Sequence, residues 1–318
     1  MKPPFFLPIS FFLIFLSLAC SSSGTSDDSG DDGSGDGGDG ATLLAEVNNW
    51  AYWLQDIDVD DLATSGFDLA VIDYSSDGSE EEAFSADEIE TLQSSGMIVL
   101  SYISIGEAED YRYYFDADAG YVDEENPDWP GNFKVRYWEE AWQEVIESYI
   151  DRVVDAGFDG AYFDIIDAYE YYGPGGDSGV DRESAADDMV NFVIRLADYA
   201  RESDADFLIF PQNGAAIIDD SSLSDEYLSA VNGIGAEDTF YFGDLDNDNE
   251  LDSDNAGEIT PLLDRFVSAG KTVLTIDYLT DPDKIDDFYD RAESAGYIPY
   301  SSIRDLDELT IPEGHEPE

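Results

Sequence analysis

From Glu140 onward, apolar side chains fall at Trp142, Val145, Ile146, Tyr149, Ile150 and Val153. That i, i+3, i+4, i+7, i+8, i+11 spacing marks one face of an amphipathic helix. The segment closes on Ala156-Gly157, and a run of apolar residues follows at once. The same order recurs at Ser65-Gly66, Ser95-Gly96, Ala269-Gly270 and Ala295-Gly296. Glycine just past the last periodic residue is a helix C-cap signal. The runs that follow or stand between these punctuations are continuous rather than alternating, as buried parallel strands are. They cover 67–74, 97–105, 158–166, 207–213, 231–237 and 272–278, with 49–55 before them and 297–302 after. Eight strands alternating with helices, at about 35 residues per unit, predict a (β/α)8 TIM barrel as a single domain over 41–318. A doubly wound open sheet is the rival, but no Gly-rich phosphate fingerprint follows the first strand.

The first forty residues follow a different pattern. Residues 1–19 hold one lysine and an apolar run too short for a confident membrane span, which predicts a secretion signal. Cys20, the only cysteine, follows Leu18-Ala19 and resembles a bacterial lipoprotein processing site, although Ser17 stands where an aliphatic residue is usual. A secreted, lipid-anchored protein is the expectation, on the cell surface or outer membrane, with Cys20 as the lipidated residue and no other contact with membrane. Residues 20–40 are almost entirely Gly, Ser and Asp, a charged flexible linker with nothing to bury.

Composition changes the picture of the surface. The chain has 318 residues, 75 acidic against 13 basic, and a net charge of −62. So few cations exclude a general nucleic-acid partner, and no nucleotide motif is present. Aspartates number 49 and lysines 4, spread along the chain. Such a surface repels itself in dilute buffer and is screened by salt. A salt-loving protein is therefore expected, whose melting temperature rises as salt is added; a maximum near zero added salt would overturn that reading.

The candidate chemistry lies where strands end. Asp73, Asp164, Glu237 and Asp277 stand at the ends of predicted strands, Gln212 and Asn213 at another, and Ser104 and Glu107 at or beyond the end of the third. Barrel strand ends converge on one mouth, where active sites sit. Carboxylates ringed by tyrosines suit glycoside chemistry: one protonates the leaving oxygen while another attacks an oxocarbenium-like centre. In a chain this acidic some strand ends are acidic by chance, so the joint pattern carries the reading and no single aspartate does.

The segments VIDYSSDG, LSYISIGEAEDYR, NPDWPGNFKVRYW, AGFDGAYFDIIDAYEYY, IFPQNG, GIGAEDTFY and TIDYLTDP resemble glycoside-hydrolase family 114 over roughly residues 47–303. That resemblance implies a (β/α)8 barrel and endo-α-1,4-polygalactosaminidase activity on an α-linked, galactosamine-containing polysaccharide. It implies Asp164 as nucleophile and Glu237 as general acid/base of a retaining reaction, with no cofactor required. Around them, Asp73 and Glu107 are expected to bind sugar hydroxyls or a substrate ammonium. Tyr52, Tyr102, Tyr162 and Asn213 are expected to hydrogen-bond the ring, Asp277 to serve as a binding carboxylate and Asp167 to support Asp164. A glycosidase for another α-linked polymer, or a carbohydrate-binding lipoprotein without turnover, are the alternatives.

Two loops remain. Residues 108–138 carry Tyr111, Tyr113, Tyr114, Tyr121, Trp129, Phe133, Tyr137 and Trp138, some expected to stack on sugar rings and about half to pack on the barrel rim. Lys134 and Arg136 there are expected to tie the loop to carboxylates. Residues 244–255 place Asp244, Asp246 and Asp248 at alternate positions, like an oxygen-ligand loop for structural Ca2+. Asn249 replaces the usual glycine and Asn255 the usual glutamate, and a solvated loop is the alternative. His315 is expected in a solvent-exposed tail.

Overall fold

In a computed structural model, residues 43–243, 250–253 and 256–317 are described. Eight parallel strands form the centre: β1 (Trp50–Trp53), β2 (Leu69–Ile72), β3 (Ile98–Ser104), β7 (Gly160–Asp164), β8 (Leu208–Pro211), β9 (Gly233–Glu237), β12 (Thr272–Tyr278) and β13 (Ile298–Ser302). Each falls inside a run predicted from the sequence. Five pair in the order β1-β2-β3-β7-β8, and three in the order β9-β12-β13. The seams between the two sheets are thinner. Gln212 bridges Gly235 across β8 and β9. At the other seam Trp50 Nε1 donates to the Ile298 carbonyl at 2.9 Å, and its ring packs 5.8 Å from that of Tyr300. The chain is a (β/α)8 barrel.

The helices follow the predicted punctuation. Gly66, Gly96, Gly157, Gly270 and Gly296 all sit at positive φ, between 74° and 98°, the left-handed turn that ends a helix. Helix Glu140–Ala156 buries Trp142, Ile146, Tyr149, Ile150 and Val153 and half-buries Val145. Each fully buried apolar side chain contributes roughly 1.5–3 kcal/mol, which is why periodicity located this helix so well.

Register fixes which residues face inward. Tyr52, Val71, Leu100, Gly160 and Leu208 stand level across five strands. Two residues on, Tyr102, Tyr162 and Phe210 are level, and then Ser104 with Asp164. Paired residues of parallel strands share a face, so all of these point into the barrel. Aromatic rings fill its centre: Trp50, Tyr52 and Tyr162 pack at centroid distances of 5.5–6.3 Å. Glycine makes room for them. A methyl group on Gly235 would stand 1.6 Å from the Tyr162 hydroxyl, and one on Gly233 would stand 2.1 Å from the Phe210 ring.

The connections hold what the sequence reading lacked. The loop after β3 is a small antiparallel sheet of β4 (Glu107–Glu109), β5 (Val122–Glu125) and β6 (Asn132–Val135), in the order β4-β6-β5. A two-stranded ribbon, β10 (Tyr241–Phe242) with β11 (Leu251–Asp252), follows β9. Among the described residues, no helix follows β13. The chain instead runs back across β1, where the Leu306 carbonyl accepts from the N–H groups of Leu54 and Gln55. His315 is not loose in solvent: its ring stacks on Tyr289 at 3.8 Å and Nε2 lies 2.9 Å from Asp286.

Cys20, the signal and linker segments, and Asp244, Asp246 and Asp248 of the calcium-like loop lie outside the described residues. Glu250, in that same loop, has a structural task. Its carboxylate accepts from the Thr280 hydroxyl at 2.5 Å and from the Asp281 N–H at 3.2 Å. Among the described residues, no helix is long and apolar enough to cross a membrane, and no group of His, Cys, Asp and Glu side chains is arranged to hold a metal.

Candidate active site

Asp164 ends β7 and Glu237 ends β9, and both side chains are partly open to solvent. Both oxygens of each carboxylate are held. Asp164 Oδ2 accepts from the Tyr102 hydroxyl at 2.8 Å, and Oδ1 from the Ile165 N–H at 2.7 Å. Glu237 Oε2 accepts from Asn213 Nδ2 at 2.9 Å, and Oε1 accepts from the Tyr278 hydroxyl. Asn213 also accepts from the Glu237 N–H at 3.0 Å, so side chain and backbone are fixed together.

The backbone turns sharply at these points. Ile165 (φ 62°), Asn213 (φ 60°) and Asp238 (φ 51°) are all left-handed without being glycine. For a β-branched residue such as Ile165 that is an outlier, of the kind that costs about 1–3 kcal/mol and clusters at functional sites. Here it aims the Ile165 N–H back at the carboxylate of Asp164. The neighbouring loop must pass close: a methyl group on Gly106 would stand 2.2 Å from the Ile165 carbonyl oxygen.

The two carboxylates feel each other. Burial and then the charge of Glu237 raise the Asp164 carboxyl well above its usual range, against the Tyr102 and Ile165 donors that lower it. Asp164 therefore retains its proton at pH values where a lone aspartate has lost its own. Burial, followed by these carboxylates, raises Tyr102 and Tyr278 far above an ordinary phenol, so both remain donors. The Arg304 guanidinium lies 4.1 Å from the centre of the Tyr278 ring and pairs with Asp238 at 2.8 Å, bracing the Glu237 side of the mouth.

The expected supporting residues divide. Tyr102 and Asn213 do reach the site, but there they hold the carboxylates of Asp164 and Glu237. Tyr52 and Tyr162 are buried in the barrel floor, where the Tyr52 hydroxyl donates to Gln212 at 2.9 Å. Neither is open to a sugar. Asp73 points inward, yet Arg112 closes over it with Nη1 and Nη2 at 2.9 and 2.5 Å. Glu107 is wholly buried, and its Oε1 accepts from Asn126 at 2.8 Å and Lys134 at 2.5 Å. Asp277 has the opposite strand parity to Tyr278. Its buried carboxylate accepts from the N–H groups of Thr239, Phe240 and Tyr241 at 2.7–3.0 Å, anchoring the loop behind Glu237. Burial pushes it up to about 7 despite those donors. These four assignments are therefore corrected: Tyr52 and Tyr162 build the floor, and Asp73 and Asp277 anchor loops. Glu107 is corrected likewise, to the partner of Lys134.

Asp167 and Glu170 stay open to solvent although protein walls surround them. Burial leads the upward shift at both, with Lys134 opposing it at Asp167 and Asp167 adding to it at Glu170, which reaches about 7. The ion pairs expected for the loop are present: Lys134 with Glu107, and Arg136 with Asp123 at 2.7 Å. Tyr278, Arg304 and Arg112 were missed. Strand parity, taken from Glu237 across β12, was the signal that favoured Tyr278 over Asp277.

Comparison with known proteins agrees with the barrel fold. The profile of glycoside-hydrolase family GH114 matches residues 38–315. An uncharacterized protein of Thermotoga maritima is 40% identical over 286 residues, covering 85% of each chain. Another, from Methanocaldococcus jannaschii, is 38% identical over 275 residues, covering 82% of this chain and 77% of that one. Among solved structures, the glycoside hydrolase domain of PelA from Pseudomonas aeruginosa superposes with a TM-score of 0.66 at 18% identity, covering 84% of this chain and 98% of that domain. Aspergillus fumigatus Ega3, solved in complex with galactosamine, gives 0.64 at 19% identity, covering 83% and 94%.

Proposed function

This chain belongs to glycoside-hydrolase family GH114, and from that premise we propose that it cleaves an α-linked, galactosamine-containing polysaccharide by a retaining route. The observation that carries the reading is the carboxylate pair at the ends of β7 and β9, partly exposed, with all four oxygens held. Asp164 attacks the anomeric carbon while Glu237 gives its proton to the departing glycosidic oxygen. Glu237 then takes a proton from water, which displaces Asp164 and restores both groups. The substrate class rests on the mouth. Asp167 and Glu170 are solvent-open acids raised first by burial, with Lys134 opposing the shift at Asp167 and the charge of Asp167 adding to it at Glu170. An amino sugar bearing ammonium groups suits this acidic rim.

Incubation with a panel of polysaccharides, wild type beside Glu237→Gln, tests this by counting new reducing ends. Ends released from de-N-acetylated galactosaminan support the proposal. Ends released only from another α-linked polymer replace the substrate and keep the chemistry.

One observation favours the reverse roles. Asp164 is the carboxyl raised by burial and by its neighbour, which makes it a good proton carrier. Tyr102 separates the two assignments. Its hydroxyl lowers Asp164, so Tyr102→Phe moves Asp164 further upward. A nucleophile must be ionised, and the acid limb of the pH–rate profile then shifts to higher pH. If Asp164 were the acid, the alkaline limb would shift upward instead.

A further inference from the structure

We infer that Arg304 is a positioning residue for Glu237: it lies on the ring of Tyr278, forks onto Asp238, and so fixes the two neighbours that aim the Glu237 carboxylate. This rests on the reading above, in which Glu237 is one of the two reacting carboxylates, and holds for either of its roles. It adds a residue from the chain after β13, which that reading does not use. Among the described residues two basic side chains are buried, Arg112 at 4% and Arg304 at 7%. Arg112 serves the loop after β3, whereas Arg304 stands at the mouth.

Arg304 follows Ser302 by two residues, and Ser302 is level with Tyr278 across β12 and β13. The turn that bears it is pinned. The Leu306 N–H donates to the Ile303 carbonyl at 3.2 Å, and the Asp305 carbonyl accepts from Gln55 Nε2 at 2.8 Å, just past the end of β1. From that turn Nη2 and Nη1 donate to Asp238 Oδ1 and Oδ2 at 2.8 and 3.2 Å. Asp238 directly follows Glu237 at φ 51°, and its N–H donates to the Ile276 carbonyl at 3.0 Å. The same guanidinium lies 4.1 Å from the centre of the Tyr278 ring, whose hydroxyl donates to Glu237 Oε1. One cation therefore touches both the residue after Glu237 and the phenol that holds its oxygen. A cation on the ring favours negative charge on the phenol oxygen, which strengthens the hydroxyl as a donor. Consistently, Arg304 opposes the rise that burial and Glu237 impose on Tyr278. Only a planar fork grips a carboxylate and lies along a ring at once. A reacting group displaced by about 1 Å loses on the order of 10²-fold in rate, so a loosened brace should appear in kcat.

The test is a double-variant cycle on the polymer of the panel that wild type cleaves. Arg304→Met is expected to lower kcat about tenfold, with KM within about twofold of wild type. Arg304→Lys should recover only part of the loss. In Tyr278→Phe, which keeps the ring and loses the hydroxyl, Arg304→Met should cost less than about threefold more, because the donor through which it acts is gone. A full further tenfold loss in Tyr278→Phe, about the same as in wild type, overturns the inference. So does a kcat for Arg304→Met within about twofold of wild type, or a loss confined to KM. If Arg304→Met fails to fold, Asp238→Asn with Arg304→Met, which leaves no unpaired charge there, takes its place in the cycle. If wild type cleaves nothing in the panel, the hydrolase reading fails, and the Tyr278 hydroxyl is read directly. The carbon-13 resonance of its ζ carbon, assigned by its loss in Tyr278→Phe, should move upfield in Arg304→Met as the hydroxyl donates less strongly. An unmoved resonance overturns the brace.

Discussion

Asp164→Asn is expected to lose at least about 10³-fold in kcat and, in the same protein, to melt at a higher temperature than wild type at neutral pH. The activity loss follows from removing one of the two carboxylates to which the proposed chemistry is assigned. The stability gain follows from linkage. The folded Asp164 carboxyl lies well above its ordinary 3.8 because of burial and Glu237. Such a group contributes most below pH 3.8, and that contribution is lost as pH rises from there toward its folded value. Wild type should therefore weaken across that window, and Asp164→Asn should not. The amide fits: its oxygen accepts from the Ile165 N–H, and its nitrogen donates to Tyr102, whose hydroxyl turns to accept. Thermal melts from pH 4 to 8 beside initial rates check both halves. Lower stability in Asp164→Asn at pH 7 would mean that the pair does not repel.

Azide then assigns the roles. With Asp164 as nucleophile, Asp164→Gly plus azide yields a glycosyl azide of inverted configuration, whereas Glu237→Gln on an activated aryl glycoside yields the retained one. The opposite pattern exchanges the two residues.

Much of this architecture was legible because burial writes itself into sequence twice, as period 3.6 in the helices and as unbroken apolar runs in the strands. All eight strands lie within their predicted runs, and all five Gly-marked helix ends are left-handed. The site was legible to the level of strand ends but not of side-chain direction. TIDY offers both Asp277 and Tyr278, and one residue of register decides which faces Glu237 and which faces the loop. Asp73 failed for a different reason. Its parity is inward, but Arg112 lies 39 residues away and reaches it only because the β3 loop folds back over β2. Ile165 shows the limit most clearly. Nothing in FDII announces that a branched residue adopts φ 62°, since the strain is tolerated only because the barrel around it overdetermines the turn.

Removing Arg112 should have the largest effect on stability. Its side chain is 1% exposed, between Asp73 at 7% and Glu109 at 4%. Truncation in Arg112→Ala leaves two buried carboxylates facing one another without a cation, a change that costs about 3–5 kcal/mol. At roughly 2–4 °C per kcal/mol for a large domain, the melting temperature should fall by about 10 °C. Added salt should restore little of it, since counterions screen surface charges far better than buried ones. Arg112→Lys should recover only part, because one ammonium cannot fork onto Asp73 and still reach Glu109. The control is apolar replacement of all three, Asp73→Leu with Glu109→Met and Arg112→Met, which removes the unpaired charges and should melt well above Arg112→Ala. If Arg112→Ala melts within about 2 °C of wild type, the triad is not what holds this loop on the barrel.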